Sequence, residues 1–305
     1  MRRITILLSV LSVAGVGSTT TALAQGLPKS QPKLLTIIRE EVKTGRNEEH
    51  SRHEAGWPAA FEKAKSPDYY IAITSLTGAN EAWYFIPSES NAAFGESMKR
   101  QDKDPVLSAE MTRLSLADAQ YINSSKTIQA IANPELSVGD FPDVNKIRFF
   151  EITVFRVHPG HEMQFEDAAK AYSAARKGAD AKSGYRFYQV IAGMPMPTYL
   201  VIASAEDYGE FDQKLAAGMA TWKEATADEK NILQKAGTEA IISSEVNRFR
   251  VDPRQSYVPK ETRESDPEFL DAKIGALPLA APATEQFLLS KAMDNSMCRR
   301  QPVYE

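Results

Sequence analysis

The sequence predicts an α+β fold in which two tandem β-α-β-β-α-β units lie in one chain and cover each other's sheets. Three observations predict it. First, Val42-Lys43-Thr44-Gly45 recurs as Val157-His158-Pro159-Gly160, a displacement of 115 residues (160 minus 45). At that displacement Ala59-Ala60 falls on Ala174-Ala175, Ala64 on Ala179, Tyr70 on Tyr185, Gly78 on Gly193 and Tyr84 on Tyr199. Later the displacement is 119 (243 minus 124), with Ser124-Ser125 on Ser243-Ser244, Pro134 on Pro253 and Ser137 on Ser256. Self-similarity at a fixed spacing marks a repeated structural unit. Second, strand-like and helix-like periodicities follow in the same order in both copies. Third, a sheet with helices on one face must bury the other, and a second copy in the same chain is a ready cover.

Each copy opens with a β-rich run, Leu34–Val42 and Phe149–Val157, closed by a glycine turn at Gly45 and Gly160. Amphipathic helices follow near 47–65 and 162–180. Two strands come next, 69–76 with 82–86 and 185–191 with 199–203, joined by turns at 77–81 and 192–197. Helical sequence then fills 89–121 and 205–237, and a last strand closes each copy near 126–132 and 245–251. This order is the split βαβ, or ferredoxin-like, unit. Two of them in tandem predict an intrachain pseudo-dimeric α+β barrel. The expected organisation is a signal peptide at 1–24, a linker at 25–33, repeats at 34–140 and 146–257, and an irregular tail at 258–305 with a short helix near 284–293.

Arg2-Arg3, the apolar stretch 4–16 and the small-x-small site Ala22-Leu23-Ala24 read as a secretory signal cut before Gln25. Export to the periplasm or beyond the cell is therefore expected, with no integral membrane segment after cleavage. Without the signal, 34 basic residues face 40 acidic ones, a net charge of about −6. That balance speaks against a nucleic-acid partner, which needs a basic footprint. The single cysteine, Cys298, excludes an internal disulfide.

Val42-Lys43-Thr44-Gly45-Arg46, followed by His50, Glu54 and Gly56-Trp57, resembles a group of exported bacterial proteins. Together with the element order over residues 34–257, it resembles the dimeric α+β barrel superfamily of antibiotic-biosynthesis-monooxygenase-like domains. That superfamily includes cofactor-free oxygenases, haem-degrading enzymes, isomerase-like enzymes and proteins without known activity. None of their catalytic sets aligns with this chain, and a shared fold does not carry a function with it.

The copies differ most on their first helix. Copy two presents the stripe Phe165, Ala168, Tyr172, Ala175 and Ala179, and copy one presents His50, His53, Trp57, Ala60 and Ala64 at the same places. Two of the chain's four histidines thus share one face beside Glu54. Three readings stand: a polar cap at the wet end of the helix, an imidazole pair lining a pocket, or part of a metal shell completed by Glu54. The reading adopted makes His50 or His53 a proton carrier with Glu54 orienting the ring, and assigns no metal and no cofactor. Arg39 stands on the first strand with Glu40 and Glu41, where copy two has Val154, Phe155 and Arg156. It is expected either to pair with Glu54 or to hold an acidic ligand. Trp57, Tyr70, Trp83 and Tyr84 are the aromatic candidates for a pocket wall, or ordinary core. His158 and His161 flank a turn and are expected at the surface.

No phosphate-binding glycine loop, dinucleotide fingerprint or nucleophile elbow is found. The expected function is uptake of a small molecule in a pocket of the first repeat. The alternatives are an oxygenase-like or isomerase-like enzyme acting on a small apolar or aromatic substrate, and a structural or interaction protein.

Overall fold

The computed structural model describes residues 26–178 and 184–270. The signal sequence, Cys298 and the helix expected near 284–293 lie outside the described residues. The first unit comprises β1 Leu34–Val42, α1 Asn47–Glu54, α2 Gly56–Lys63, β2 Ile71–Ser75, β3 Glu81–Ser88, α3 Asn91–Lys103, α4 Pro105–Asp118 and β4 Ile122–Ala132. The second comprises β5 Phe149–Val157, α5 Glu162–Gly178, β6 Arg186–Ala192, β7 Thr198–Ala205, α6 Glu210–Glu224, α7 Ala227–Lys235 and β8 Ile241–Val251. Both follow the β-α-β-β-α-β order, with each helical layer in two or more pieces.

The eight strands close into one antiparallel barrel in the order β1-β3-β2-β8-β5-β7-β6-β4. Each unit therefore has the ferredoxin-like order, and the units meet edge to edge at β2–β8 and β4–β6. The two seams are equivalent: Ile73 faces Val251, and Tyr188, 115 residues after Ile73, faces Ala132, 119 before Val251. β1 and β5 also carry a ladder irregularity at the same place, between Glu41 and Val42 and between Arg156 and Val157. Closure leaves no free sheet edge.

The ladders correct one correspondence. Arg39 pairs with Trp83, and Val154 pairs with Leu200, so Leu200 is the counterpart of Trp83. The displacement is 117 there (200 minus 83), and Tyr84 corresponds to Val201 rather than Tyr199. Two extra residues in the turn 193–197 account for the slip. Gly78 and Gly193 still match, both at positive φ (77° and 86°), where a Cβ would strain the backbone.

Alternation along the strands gives every sheet residue one of two destinations. Inside the barrel pack Leu35, Ile37, Ile73, Trp83, Phe85, Ile128, Phe150, Ile152, Leu200 and Phe249. Outside, two separate clusters lie beneath the helices. Val42, Ala60, Phe61, Tyr70, Ala72, Tyr84 and Leu114 pack in the first unit, and Val157, Phe165, Ala168, Phe187 and Tyr199 in the second.

After its last strand each unit sends an arm onto the other. Residues 133–138 bind β6: Asn133 N donates to Phe187 O at 2.9 Å, and Phe187 N donates to Ser137 Oγ at 3.0 Å. Residues 252–257 repeat this on β2: Asp252 N donates to Ala72 O at 2.9 Å, and Ala72 N donates to Ser256 Oγ at 2.9 Å. The matched Ser137 and Ser256 of the sequence are these two clasps. Beyond them the described residues of the tail run to 270. α8 Lys260–Ser265 and α9 Pro267–Leu270 follow, held by an Arg148–Asp266 ion pair and by Arg148 stacked 4.0 Å over Phe269.

Candidate functional site

Local sequence breaks the first helix at the site. Pro58 has no N–H to donate to the carbonyl of Glu54, so the expected single helix over 47–65 divides at Ala55. At Gly56 a Cβ would come within 2.7 Å of Leu114 Cδ2. Only glycine lets α4 approach so closely, and that approach brings Asp118, the last residue of α4, onto α1.

Five ionisable groups converge between α1, α4 and the outer face of β1. His50 Nε2 lies 3.1 Å from Glu40 Oε2. His53 Nε2 lies 2.6 Å from Asp118 Oδ1 and 3.1 Å from the Leu114 carbonyl, with its ring 5.0 Å from that of Tyr121. Glu54 sits between the two imidazoles, its Oε1 4.0 Å from His50 Nε2 and 3.9 Å from His53 Nε2. Those separations are too long for hydrogen bonds, and Glu54 Oε1 is buried without a hydrogen-bond partner. Burial, then the charges of Glu40 and Asp118, hold the Glu54 carboxyl well above the usual carboxylate range. Asp118 is also raised, by burial and by Glu40, with His53 opposing.

Aromatic hydroxyls close the site from the sheet side. Tyr84 Oη donates to Gln255 Oε1 at 2.9 Å, and Gln255 Nε2 donates to Ser51 Oγ at 2.9 Å, so the arm of the second unit reaches α1. The Tyr70 hydroxyl is buried without a hydrogen-bond partner. Burial, then the nearby Glu54, raise both phenols well above their ordinary value.

Most of the expected site residues come together here, and two do not. His50, His53, Glu54, Trp57, Tyr70 and Tyr84 share the space between helices and sheet. His50 is 1% exposed, so the solvent-cap reading fails for it. Arg39 and Trp83 point into the barrel, because they alternate with Glu40 and Tyr84 along their strands. Arg39 pairs with Glu81 at 2.6 Å rather than with Glu54, and Trp83 Nε1 donates to the same carboxylate at 2.8 Å. The orienting role expected of Glu54 belongs to Glu40 for His50 and to Asp118 for His53. Glu40 was legible as a helix-facing acid on β1, two residues from Val42. Asp118 carried no signal, since only the packing of α4 brings it in. His161 Nδ1 bonds Gln164 at 2.8 Å, and His158 is exposed.

The second unit is hollow where the first is filled. A cavity of about 400 Å³ lies between α5, α7 and the sheet, lined by Phe155, Phe165, Ala168, Ala169, Tyr172 and Phe187, with Lys214, Arg176 and Glu151 adding charge. At the 115-residue displacement, Phe155, Phe165, Ala168 and Ala169 are the counterparts of Glu40, His50, His53 and Glu54. A further cavity of about 370 Å³ opens at one end of the barrel beside Leu35, Phe85, Phe150 and Tyr188. His50, His53 and Glu54 line none of the four principal cavities among the described residues. Where Ala168 and Ala169 line the cavity of the second unit, the larger His53 and Glu54 stand in the first, packed against the carbonyl of Leu114 and against Asp118.

No family model matches the chain, and no curated protein matches it. Among solved structures it is similar to a candidate monooxygenase of Fusobacterium nucleatum, at 12% identity over 72% of this chain and 91% of that one, with a TM-score of 0.48. A candidate monooxygenase of Lactobacillus acidophilus is 9% identical over 75% and 100% of the two chains, with a TM-score of 0.46. A chlorite dismutase of Candidatus Nitrospira defluvii is 8% identical over 77% and 95%, with a TM-score of 0.41. Among the described residues no helix is long and apolar enough to cross a membrane. The assignment of this chain to the dimeric α+β barrel fold rests on its own closed ladder of two β-α-β-β-α-β units.

Proposed function

We propose that this is an exported small-molecule-binding barrel protein whose ligand seat is the cavity of the second unit. The observation that carries the reading is the hollow of about 400 Å³ under α5 and α7. Its volume and its aromatic lining suit a flat apolar ligand. Lys214 supplies a cation at its edge: burial lowers its pKa against the opposing pull of Glu210, 3.7 Å away, and its Nζ is anchored by the Ser204 carbonyl at 2.6 Å. A desolvated ammonium gains from an anionic group, so the ligand class is an aromatic or fused-ring acid.

The test uses 1-anilinonaphthalene-8-sulfonate, an apolar anion of that shape, titrated into the full chain by fluorescence. Saturable binding is expected, and Ala168→Trp, which fills the cavity, should abolish it without lowering the melting temperature by more than a few degrees. Binding that survives Ala168→Trp would move the seat to the barrel-end cavity. Export is part of the proposal and rests on the signal-like first 24 residues; N-terminal sequencing of the protein recovered from a periplasmic fraction should begin at Gln25. A second reading, proton transfer by His50 or His53, is favoured by the buried His50–Glu40 and half-buried His53–Asp118 pairs. It requires a substrate to reach a cluster that none of the four principal cavities touches.

A further inference from the structure

The five-residue cluster of the first unit has a composition that neither packing nor ligand uptake explains. Three carboxylates and two imidazoles lie under one helix layer, against Ala60, Tyr84 and Leu114. Burying an unpaired charge is costly, and removing one member of a buried pair exposes that cost. The fold itself does not demand these groups. In the second unit Phe155, Phe165, Ala168 and Ala169 occupy the corresponding places, and the same helix-on-sheet packing forms.

Geometry says what the groups are for. Glu40, His50 and Glu54 form one triad of donors, and His53, Glu54 and Asp118 form another; within each, the ligand atoms all lie within 4.8 Å of one another. Glu54 Oε1 is common to both. It stands 4.0 and 3.9 Å from the two Nε2 atoms, beyond hydrogen-bond reach. Two donors each about 2.1 Å from one ion are separated by at most about 4.2 Å. Glu54 Oε1 is also the buried acceptor that finds no donor in the protein. The side chains are carried by a strand and two helices, β1, α1 and α4, which fix their positions. Mixed imidazole and carboxylate donors suit first-row divalent ions such as Zn²⁺, Mn²⁺ and Co²⁺.

We propose that this cluster is a buried binding site for a first-row divalent transition-metal ion, which seats in one of two overlapping triads, Glu40–His50–Glu54 or His53–Glu54–Asp118, with Glu54 a ligand in either. Binding replaces the Nε2 proton of the triad's imidazole with the ion; that proton passes to solvent, and the hydrogen bond from that nitrogen to Glu40 or Asp118 opens. Asp118 is the least buried of the three acids, its side chain 11% exposed against 8% for Glu40 and 4% for Glu54, so the ion enters from the α1–α4 side. The proposal stands apart from the cavity of the second unit, and either can fail without the other.

The experiment uses the full mature chain, stripped with chelator, in a background carrying His158→Ala, His161→Ala and Cys298→Ser to remove adventitious donors. Zn²⁺ and Mn²⁺ are titrated by calorimetry, and bound metal is counted after desalting. Co²⁺ is followed by its visible absorption bands. Stoichiometric uptake is expected, with a rise in melting temperature that grows with free metal, as for any ligand of the native state. Glu54→Gln keeps the shape and removes the shared charge; it should weaken binding by roughly 100-fold or more while the chain stays folded. His50→Phe with His53→Ala, which installs the residues of the second unit, should abolish it. Wild-type uptake no greater than that of the double variant overturns the proposal. So does Glu54→Gln binding metal as the wild type does. Either result would make the cluster a structural hydrogen-bond network, in which Glu40 and Asp118 hold the two imidazoles on either side of Glu54.

Discussion

The two units share one backbone plan and differ in what lies between helices and sheet. In the first, Glu40, His50, His53, Glu54 and Asp118 fill the interlayer space with ionisable groups. In the second, Phe155, Phe165, Ala168 and Ala169 leave about 400 Å³ open. Yet both clasp arms, both sheet seams and both irregularities at the end of the first strand are retained. The difference shows that the interlayer space is free to specialise once the barrel and its arms hold the fold. The lesson extends to the helix itself. Pro58 and Gly56 break the first layer into α1 and α2 and admit α4, whereas α5 runs unbroken from Glu162 to Gly178.

That contrast can be tested from both sides. The largest effect is expected from Glu40→Ala, which strands His50 in a buried site; it should destabilise the chain by about 3 kcal/mol, read from urea unfolding. Arg39→Ala acts on the opposite face of the same strand. It leaves Glu81 half-satisfied by Trp83 and should cost about 2 kcal/mol, with Zn²⁺ uptake and dye binding unchanged. Any change in metal affinity would show that the two faces are coupled. Phe165→His carries the first unit's chemistry into the second without a carboxylate opposite, since Phe155 stands where Glu40 would. A loss of about 1–2 kcal/mol and weaker dye binding are expected from the unpartnered imidazole.

The smallest effect is expected from Lys214→Met. Its stability change should stay below about 1 kcal/mol, because the ammonium is only partly desolvated. Its pH signature is more telling. Burial lowers the folded-state pKa below the ordinary 10.5. Between the two values the unfolded chain binds more protons, so wild-type stability rises with pH across that window. The variant should lack this rise. Dye affinity should fall about tenfold at neutral pH, as expected for losing one charge-assisted contact.

The barrel was legible because repetition, glycine turns and strand periodicity all pointed to it. The helix break was legible in principle, since Pro58 and Gly56 stand in the sequence, but the stripe His50, His53, Trp57, Ala60 and Ala64 keeps its three- and four-residue steps across both pieces and concealed it. The slip from Tyr199 to Val201 was hidden because a chance tyrosine sat at the uncorrected displacement. His50, His53 and Glu54 were found by comparing the copies. Arg39 and Trp83 were misplaced because composition does not tell which face of a strand looks inward. Counting alternation from Ile37 sends Arg39 into the barrel, and the register that pairs Arg39 with Trp83 takes Trp83 with it. Asp118 depends on how α4 docks, and no local pattern encodes that.

The exchanged arms have a consequence for concentration. A barrel assembled from two separate chains comes apart on dilution, because its seams must be remade by collision. Here each arm finds its groove within the same molecule, at an effective concentration set by the short stretch from Gly139 to Val144 and not by how much protein is present. The Ser137 and Ser256 clasps then act as two ends of one handshake. Cleaving that stretch should yield two fragments that stay together at high concentration and drift apart as they are diluted. The intact chain keeps its barrel however sparse it becomes.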